Sequence, residues 1–267
     1  MKIGILYKNT VEAKNLSKEI EHYLIENGNE VVFVDEGVDL KDSIILSLGG
    51  DGTLLKAFQF AYKFDIPILG INLGGLGFLT DVEREDVFDA LQKLINKKFS
   101  IENRKVLEGG ILREGKKLKK YYAFNDFVIS KEILSPIISL EIFIDGVSVS
   151  KVKGDGIIIS TPNGSTAYSL SAGGPIVSPK CDVYILTTLC SHKLTSRPVV
   201  LSSKEKLSIN IIESEDDVLF IEDGIKRENI LKNDHLIFNI AERDAKLIRL
   251  KEKNFYLVVN SKFNWWT

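Results

Sequence analysis

The sequence predicts two unlike halves, an α/β domain built on a parallel sheet followed by an all-β domain. Three observations carry this expectation. Short apolar runs alternate with segments of helical period up to about residue 98. From about residue 99 the apolar runs become short, frequent and bounded by Gly, Asp, Asn and Pro. The length, 267 residues, is comfortable for two domains.

In the first half, "KIGILY" (2–7) reads as a buried parallel strand. Val11, Leu16, Ile20, Tyr23 and Leu24 predict a helix over 11–27, with Gly28 as its C-cap. "EVVFV" (30–34) and "SIILSL" (43–48) read as strands, and Leu54, Leu55, Phe58, Ala61 and Tyr62 predict a helix over 53–62. "IPILGI" (66–71) is a fourth strand, and Val87, Phe88, Leu91, Leu94 and Ile95 place a helix over 85–97. Strands alternating with helices put helices on both faces of a sheet, a Rossmann-like three-layer domain over residues 1–98.

In the second half, "YYAFNDFVIS", "SLEIFIDGVSV", "GDGIIIST", "VYILTTL", "EKLSINII", "DVLFIEDG" and "HLIFNIAE" predict a β-sandwich-like domain over 99–245. Asp145–Gly146 lies between Ile142, Ile144 and Val147, Val149 as a hairpin turn. Lys116, Lys117, Lys119 and Lys120 beside Gly115 read as a solvated hairpin tip.

Composition excludes several function classes. With 35 basic and 37 acidic residues the net charge is −2, which argues against a nucleic-acid binder or a partner for acidic membranes. No apolar run approaches the roughly 20 residues that span a bilayer, and "MKIGILYKNT" has no signal-peptide pattern. Cys181 and Cys190 form no CxxC pair, and His22, His192 and His235 show no ligand spacing. A cytoplasmic protein with reduced thiols and no structural metal is expected.

The chemistry concentrates in glycine-rich segments. "SLGGDGTLL" (47–55) follows one strand and opens a helix. Backbone N–H groups and a helix N-terminus there favour an anion, and glycines let phosphate approach. Thr53 either caps the helix or donates to the same phosphate. Asp51 does not suit a plain anion cradle, so it either accepts a proton from a hydroxyl or holds a metal ion. A tight turn with an Asx-type bond remains the bland alternative. The GxGxxG fingerprint fails at Leu55, and no GxxxxGK[ST] occurs. A second cluster, "GINLGGLGFLT" (70–80), follows the fourth strand. A third block, "GDGIIISTPNGSTAYSLSAGGPIVSP" (154–179), is richer in small polar residues than a hairpin requires.

Together these blocks resemble the NAD kinase family. The marks are "GGDGT" (49–53), "NLGGLGFLT" (72–80), "ND" (125–126) and "DGIIISTPNGSTAYSLSAGGP" (155–175), with weaker matches at "LTSRPVV" (194–200) and "EDG" (222–224). The resemblance implies an α/β domain and a β-rich domain, with 246–267 returning to pack on the first. It implies transfer of the terminal phosphoryl of ATP, or of polyphosphate, to the 2′-hydroxyl of the adenosine ribose of NAD, giving NADP. Asp51 would be the base. Gly52, Phe78 (beside adenine), Asn125, Asp126, Lys153, Asp155, Asn163, Thr166, Ala167, Tyr168 and Ser171 would bind NAD. Gly49, Gly50, Thr53, Gly74, Gly75 and Gly77 would hold phosphates, with Mg2+ or another divalent cation offsetting their charge. Asp155 would reach NAD in a neighbouring subunit, so a homodimer or homotetramer is implied. Asp126 stands where the family's pair has Glu, Gly75 where a larger residue is usual, Asn163 at a variable site, and Ile225 where Gln is common. A lipid or sugar kinase sharing GGDGT and a non-catalytic NAD(P)-binding sensor are the competing readings.

Overall fold

The computed structural model describes residues 1–75, 77–232 and 234–264. Leu76 of the second glycine loop, residues 265–267 of the C-terminal segment and the side chain of Lys117 lie outside the described residues. The chain forms two compact units, residues 1–104 with 245–267, and residues 105–244.

The first unit begins with β1 (Lys2–Tyr7), α1 (Val11–Glu26) and β2 (Glu30–Phe33). Thr10 caps α1, its Oγ1 accepting from Ala13 N at 3.3 Å. Then follow β3 (Ser43–Leu48), α2 (Asp51–Phe64), β4 (Ile68–Asn72), the short β5 (Val82–Glu83), α3 (Val87–Ile95) and β6 (Ser100–Arg104). Every residue of β3 and β4 is buried, as parallel strands covered on both faces must be. Helix α2 starts two residues earlier than its apolar period indicates. Gly50 is extended at φ −92°, ψ −168° and serves as N-cap, so Thr53 lies inside the first turn and is not the cap.

The second unit contains β7 (Leu107–Arg113), β8 (Lys116–Ala123), β9 (Asp126–Lys131), β10 (Ile138–Ile144), β11 (Val147–Gly154) and β12 (Gly156–Ser160). A 3-10 turn (Gly164–Thr166) and the single-turn α4 (Tyr168–Ser171) precede β13 (Val183–Leu189), β14 (Val199–Ser202), β15 (Leu207–Glu213), β16 (Val218–Glu222), β17 (Ile225–Ile230) and β18 (His235–Ile240). Two six-stranded sheets result, ordered β11-β10-β15-β18-β7-β8 and β14-β13-β12-β9-β16-β17. Phe127 and Phe220 of one sheet stack at 5.1 Å, and Phe238 of the other lies 5.6 Å from Phe127, within one buried cluster. Asp145–Gly146 makes a two-residue turn with both φ positive, 48° and 81°. Glu114–Gly115, at 50° and 75°, forms the tip beside the basic run, so Lys116, Lys119 and Lys120 stand on β8 and not at the tip.

The chain then returns to the first unit as β19 (Ala245–Arg249) and α5 (Phe255–Phe263). Strand β19 enters the first sheet between β4 and β6, giving the order β2-β1-β3-β4-β19-β6 with β5 also on β4. It runs parallel to β4 and antiparallel to β6. The sheet is therefore mixed at one edge, where β6 is the antiparallel strand. Residues 100–104, whose texture groups them with the β-rich half, pair here instead.

Candidate active site

Strands β1 and β3 are adjacent and parallel, although α1 and β2 separate them in sequence. The order 2-1-3-4 makes the β1/β3 position a topological switch point, where open α/β sheets bind ligands beyond the carboxyl ends of their strands. The turn from β3 into α2 is Gly49–Gly50, and Asp51 is the first helical residue. The next strand over, β4, ends in the second glycine loop.

The two loops are tied together by Asp51. Its Oδ2 accepts from Phe78 N at 3.0 Å and its Oδ1 from Leu79 N at 3.0 Å. Gly77 makes this approach possible, since a Cβ there would come within 2.6 Å of Asp51 Oδ1 and would overlap Thr80 Oγ1. Likewise a Cβ on Gly49 would collide with Thr53 Oγ1, so these two glycines serve close packing. Gly50, Gly52, Gly74 and Gly75 differ, because a Cβ on any of them meets nothing within 4 Å. Asn72 shapes the entry to the second loop, its Nδ2 donating to Glu83 Oε2 (2.8 Å) and Gly74 O (3.0 Å).

The returning segment holds the carbonyl side of the same loop. Lys253 Nζ donates to Gly77 O (3.0 Å), Phe78 O (3.3 Å) and Thr80 O (2.6 Å). Arg249 Nη1 donates to Leu79 O at 3.1 Å and pairs with Asp81, whose carboxylate also accepts from Leu250 N at 2.9 Å. Burial, and then the neighbouring Arg249, lower the Lys253 ammonium to about 8 against the opposing pull of Asp81 and Asp51. The Phe78 ring lies 6.2 Å from Phe255 and 5.7 Å from Phe263, with Lys262 Nζ 4.9 Å from its centroid.

In the second unit the "ND" pair sits at the start of β9. Asp223, in a two-residue turn with φ 46°, accepts from Phe124 N (2.8 Å), Asn125 N (2.7 Å) and Asp126 N (3.1 Å). Asp126 is 5% exposed, and burial first, then the Asp223 charge, push its carboxyl up to about 7. Burial raises Asp223 similarly, although its three N–H donors favour the charged form. Asn125 Oδ1 is buried and has no hydrogen-bond partner among the described residues.

Much of the polar block 160–177 turns inward. Thr161 Oγ1 donates to Phe124 O at 2.7 Å and accepts from Gly164 N at 3.1 Å. Ser165 bridges Pro162 O and Val177 N. Asn163 Nδ2 donates to Lys105 O (2.9 Å) and Phe124 O (3.4 Å), which ties this side chain to the backbone. Thr166 and Ala167 are half-buried, and Tyr168 and Ser171 are exposed. Lys153 is an exposed residue of β11, 3.6 Å from Glu213. Asp155 sits between β11 and β12, with its carboxylate 4.0 Å from Lys131 Nζ and hydrogen-bonded by the Cys190 thiol.

Within the first unit the structure thus gathers Asp51, Thr53, Phe78 and the glycines. Within the second, Asn125, Asp126, Asn163 and Thr166 lie on one chain of backbone contacts. Lys253, Arg249 and Asp223 do not follow from sequence reasoning as parts of either cluster. The "EDG" turn was the one local signal for Asp223.

Comparison with known proteins adds to this geometry. Residues 3–99 match the family model of the ATP-NAD kinase N-terminal domain, and residues 124–250 that of the ATP-NAD kinase C-terminal domain. An NAD kinase of Ruminiclostridium cellulolyticum is 40% identical over 235 residues, 88% of this chain and 81% of that protein. An NAD kinase of Lachnoclostridium phytofermentans is 36% identical over 269 residues, 94% of each. Yeast NADH kinase complexed with NADH superposes with a TM-score of 0.87 at 22% identity, over 99% of this chain and 88% of that one. An Archaeoglobus fulgidus NAD kinase in complex with ATP gives 0.76 at 24% identity, over 98% of each chain. At these identities the two structures speak for the fold.

Proposed function

The chain belongs to the NAD kinase family, and we propose that it transfers the terminal phosphoryl group of ATP to the 2′-hydroxyl of the adenosine ribose of NAD, giving NADP. The observation that carries this reading is the setting of Asp51. It opens a helix at the switch point of the sheet, and each of its oxygens is held by one backbone N–H. A carboxylate fixed in this way retains lone pairs for a hydroxyl, beside backbone left open at Gly50, Gly52, Gly74 and Gly75.

A ribose hydroxyl is a weak acid, and phosphoryl transfer depends mostly on positioning and charge neutralisation. Asp51 orients the hydroxyl and accepts its proton late in the transfer. The open glycine amides and the N-terminus of α2 stabilise the phosphates, and Thr53 donates from the same turn. In the second unit, Asn125, Asp126, Thr166, Ala167, Tyr168 and Ser171 bind NAD. The unpartnered Asn125 Oδ1 supports this assignment, since a buried acceptor needs a donor. Lys153 and Asp155 act from the rim, Asp155 toward NAD in a neighbouring copy of a homodimer or homotetramer.

Mg2+ normally takes few protein ligands and keeps water and phosphate oxygens. The described residues hold no cluster of three or more His, Cys, Asp or Glu able to bind a metal ion. When bound, the cation would offset charge on the donor's phosphates.

The test is direct. Purified protein is incubated with NAD, Mg2+ and ATP, and NADP is read with an NADP-specific dehydrogenase, with polyphosphate in place of ATP in a parallel arm. NADP formation with ATP is expected. Binding of NAD without NADP in either arm would select a sensor and overturn the reading.

A further inference from the structure

Two successive peptide units of the second glycine loop lie between an anion and a cation. The unit joining Gly77 to Phe78 gives its N–H to Asp51 Oδ2 and its carbonyl to Lys253 Nζ. The next, joining Phe78 to Leu79, gives its N–H to Asp51 Oδ1 and its carbonyl again to Lys253. Thr80 O takes the third Lys253 bond, and Leu79 O takes Arg249. All four carbonyls from 77 to 80 are thus held by cations of the returning segment, while two of the intervening N–H groups hold Asp51.

From this geometry we infer that Lys253 is a positioning residue for phosphoryl transfer, acting through the peptides 77–79 to fix the orientation of the Asp51 carboxylate. The inference rests on the reading of Asp51 as the proton acceptor. Hydrogen bonds in series polarise one another, so an ammonium on the carbonyl side makes each N–H a better donor to the carboxylate. It also fixes the loop in place. Three charge-assisted bonds from one half-buried cation leave those carbonyls little freedom. Without Lys253 the three carbonyls lose their partner, and the loop relaxes toward water. Phe78 lies within the same unit of structure, packed against Phe255 and Phe263.

Protonation has a readable consequence. The charged groups that act on Lys253 are Arg249 and Arg104, which disfavour its proton, and Asp81 and Asp51, which favour it. A neutral amine has two donors for three carbonyls, so the clamp weakens as pH rises through about 8. Folding stability moves the other way. The unfolded chain keeps this proton to about 10.5, so between the two values the group adds to stability as pH rises. Turnover would therefore fall while the fold holds.

The experiment compares wild type, Lys253→Met and Lys253→Arg. Amide hydrogen exchange at Phe78 and Leu79 is measured without substrates, and kcat and KM between pH 6.5 and 9.5 with NAD and ATP. In Lys253→Met, exchange at these amides should rise at least about tenfold. Its kcat should fall about a hundredfold, the scale of a catalytic group displaced by an ångström, with both KM values within about threefold. Lys253→Arg, which cannot deprotonate in this range, should restore part of kcat and lose the alkaline decline. Unchanged exchange in Lys253→Met, or kcat within about threefold of wild type, overturns the inference. So does an alkaline limb retained by Lys253→Arg. A wild type that forms no NADP would overturn the functional reading instead, while the exchange measurement would still decide whether Lys253 holds the loop.

Discussion

Asp223 and Asp126 form a buried carboxyl pair in which one member is fully provided with donors and the other is not. Asp223 collects three consecutive backbone N–H groups, including that of Asp126 itself. Asp126 lies 5% exposed beside it, and both carboxyls are pushed up to about 7. A carboxyl whose native value lies above its unfolded value near 3.8 contributes stability at low pH, which is lost as pH rises through the native value.

Wild type should therefore lose stability between about pH 4 and pH 7 through this pair. Asp126→Asn keeps the shape and removes one charge, so its pH dependence should be flatter. Relative to its difference at pH 4, the variant should gain at least about 1 kcal/mol at pH 8, roughly 3 °C for a unit of this size. Thermal melts across pH measure this, and parallel curves for the two proteins would refute it.

Asp51→Asn preserves an acceptor oxygen but removes the carboxylate proposed as the base. A fall in kcat of at least about a hundredfold is expected, with the NAD dissociation constant within a few-fold. Steady-state assay and calorimetric titration read the two quantities, and unchanged turnover removes Asp51 from the role of base.

Gly77→Ala should separate loop geometry from loop charge. The new Cβ would stand 2.6 Å from Asp51 Oδ1 if nothing moved, so either the carboxylate or the loop must shift. We expect kcat to drop at least about tenfold with the far-ultraviolet circular dichroism unchanged. A kcat within about twofold of wild type would show that the contact yields at no cost.

Arg249→Met removes the partner of Asp81, whose side chain is fully buried. Breaking a buried ion pair from one side leaves an uncompensated charge, so a loss of about 3 kcal/mol or more is expected. Arg249→Met/Asp81→Asn should recover part of that loss in urea unfolding. If the double variant is no more stable than the single one, Asp81 is not the source of the cost.

What could be read from the sequence was governed by how local each cause is. The Asp145–Gly146 turn was legible because two adjacent residues with positive φ suffice to make it. Strand β3 was legible to the residue, since burial on both faces leaves a continuous apolar run. The start of α2 was not, because the cap is a glycine with no side chain to announce it. Asn163 bonds a carbonyl 58 residues away, a contact that no local pattern announces. Lys253 and Arg249 carry no local mark, for the carbonyls they hold lie some 170 residues earlier in the chain.

The late arrival of β19 sets an order of events during synthesis. Among the described residues β6 has no sheet neighbour other than β19, and β19 begins at Ala245. A ribosome that has released residues 1–104 has therefore released an unfinished sheet, with β4 missing one neighbour and the Asp51 loop missing its clamp. The second unit, contiguous from 105 to 244, can close first. The nascent protein thus acquires its β-rich unit before the Asp51 carboxylate is locked, and the loop that holds it is clamped only once residues 245–253 have been made.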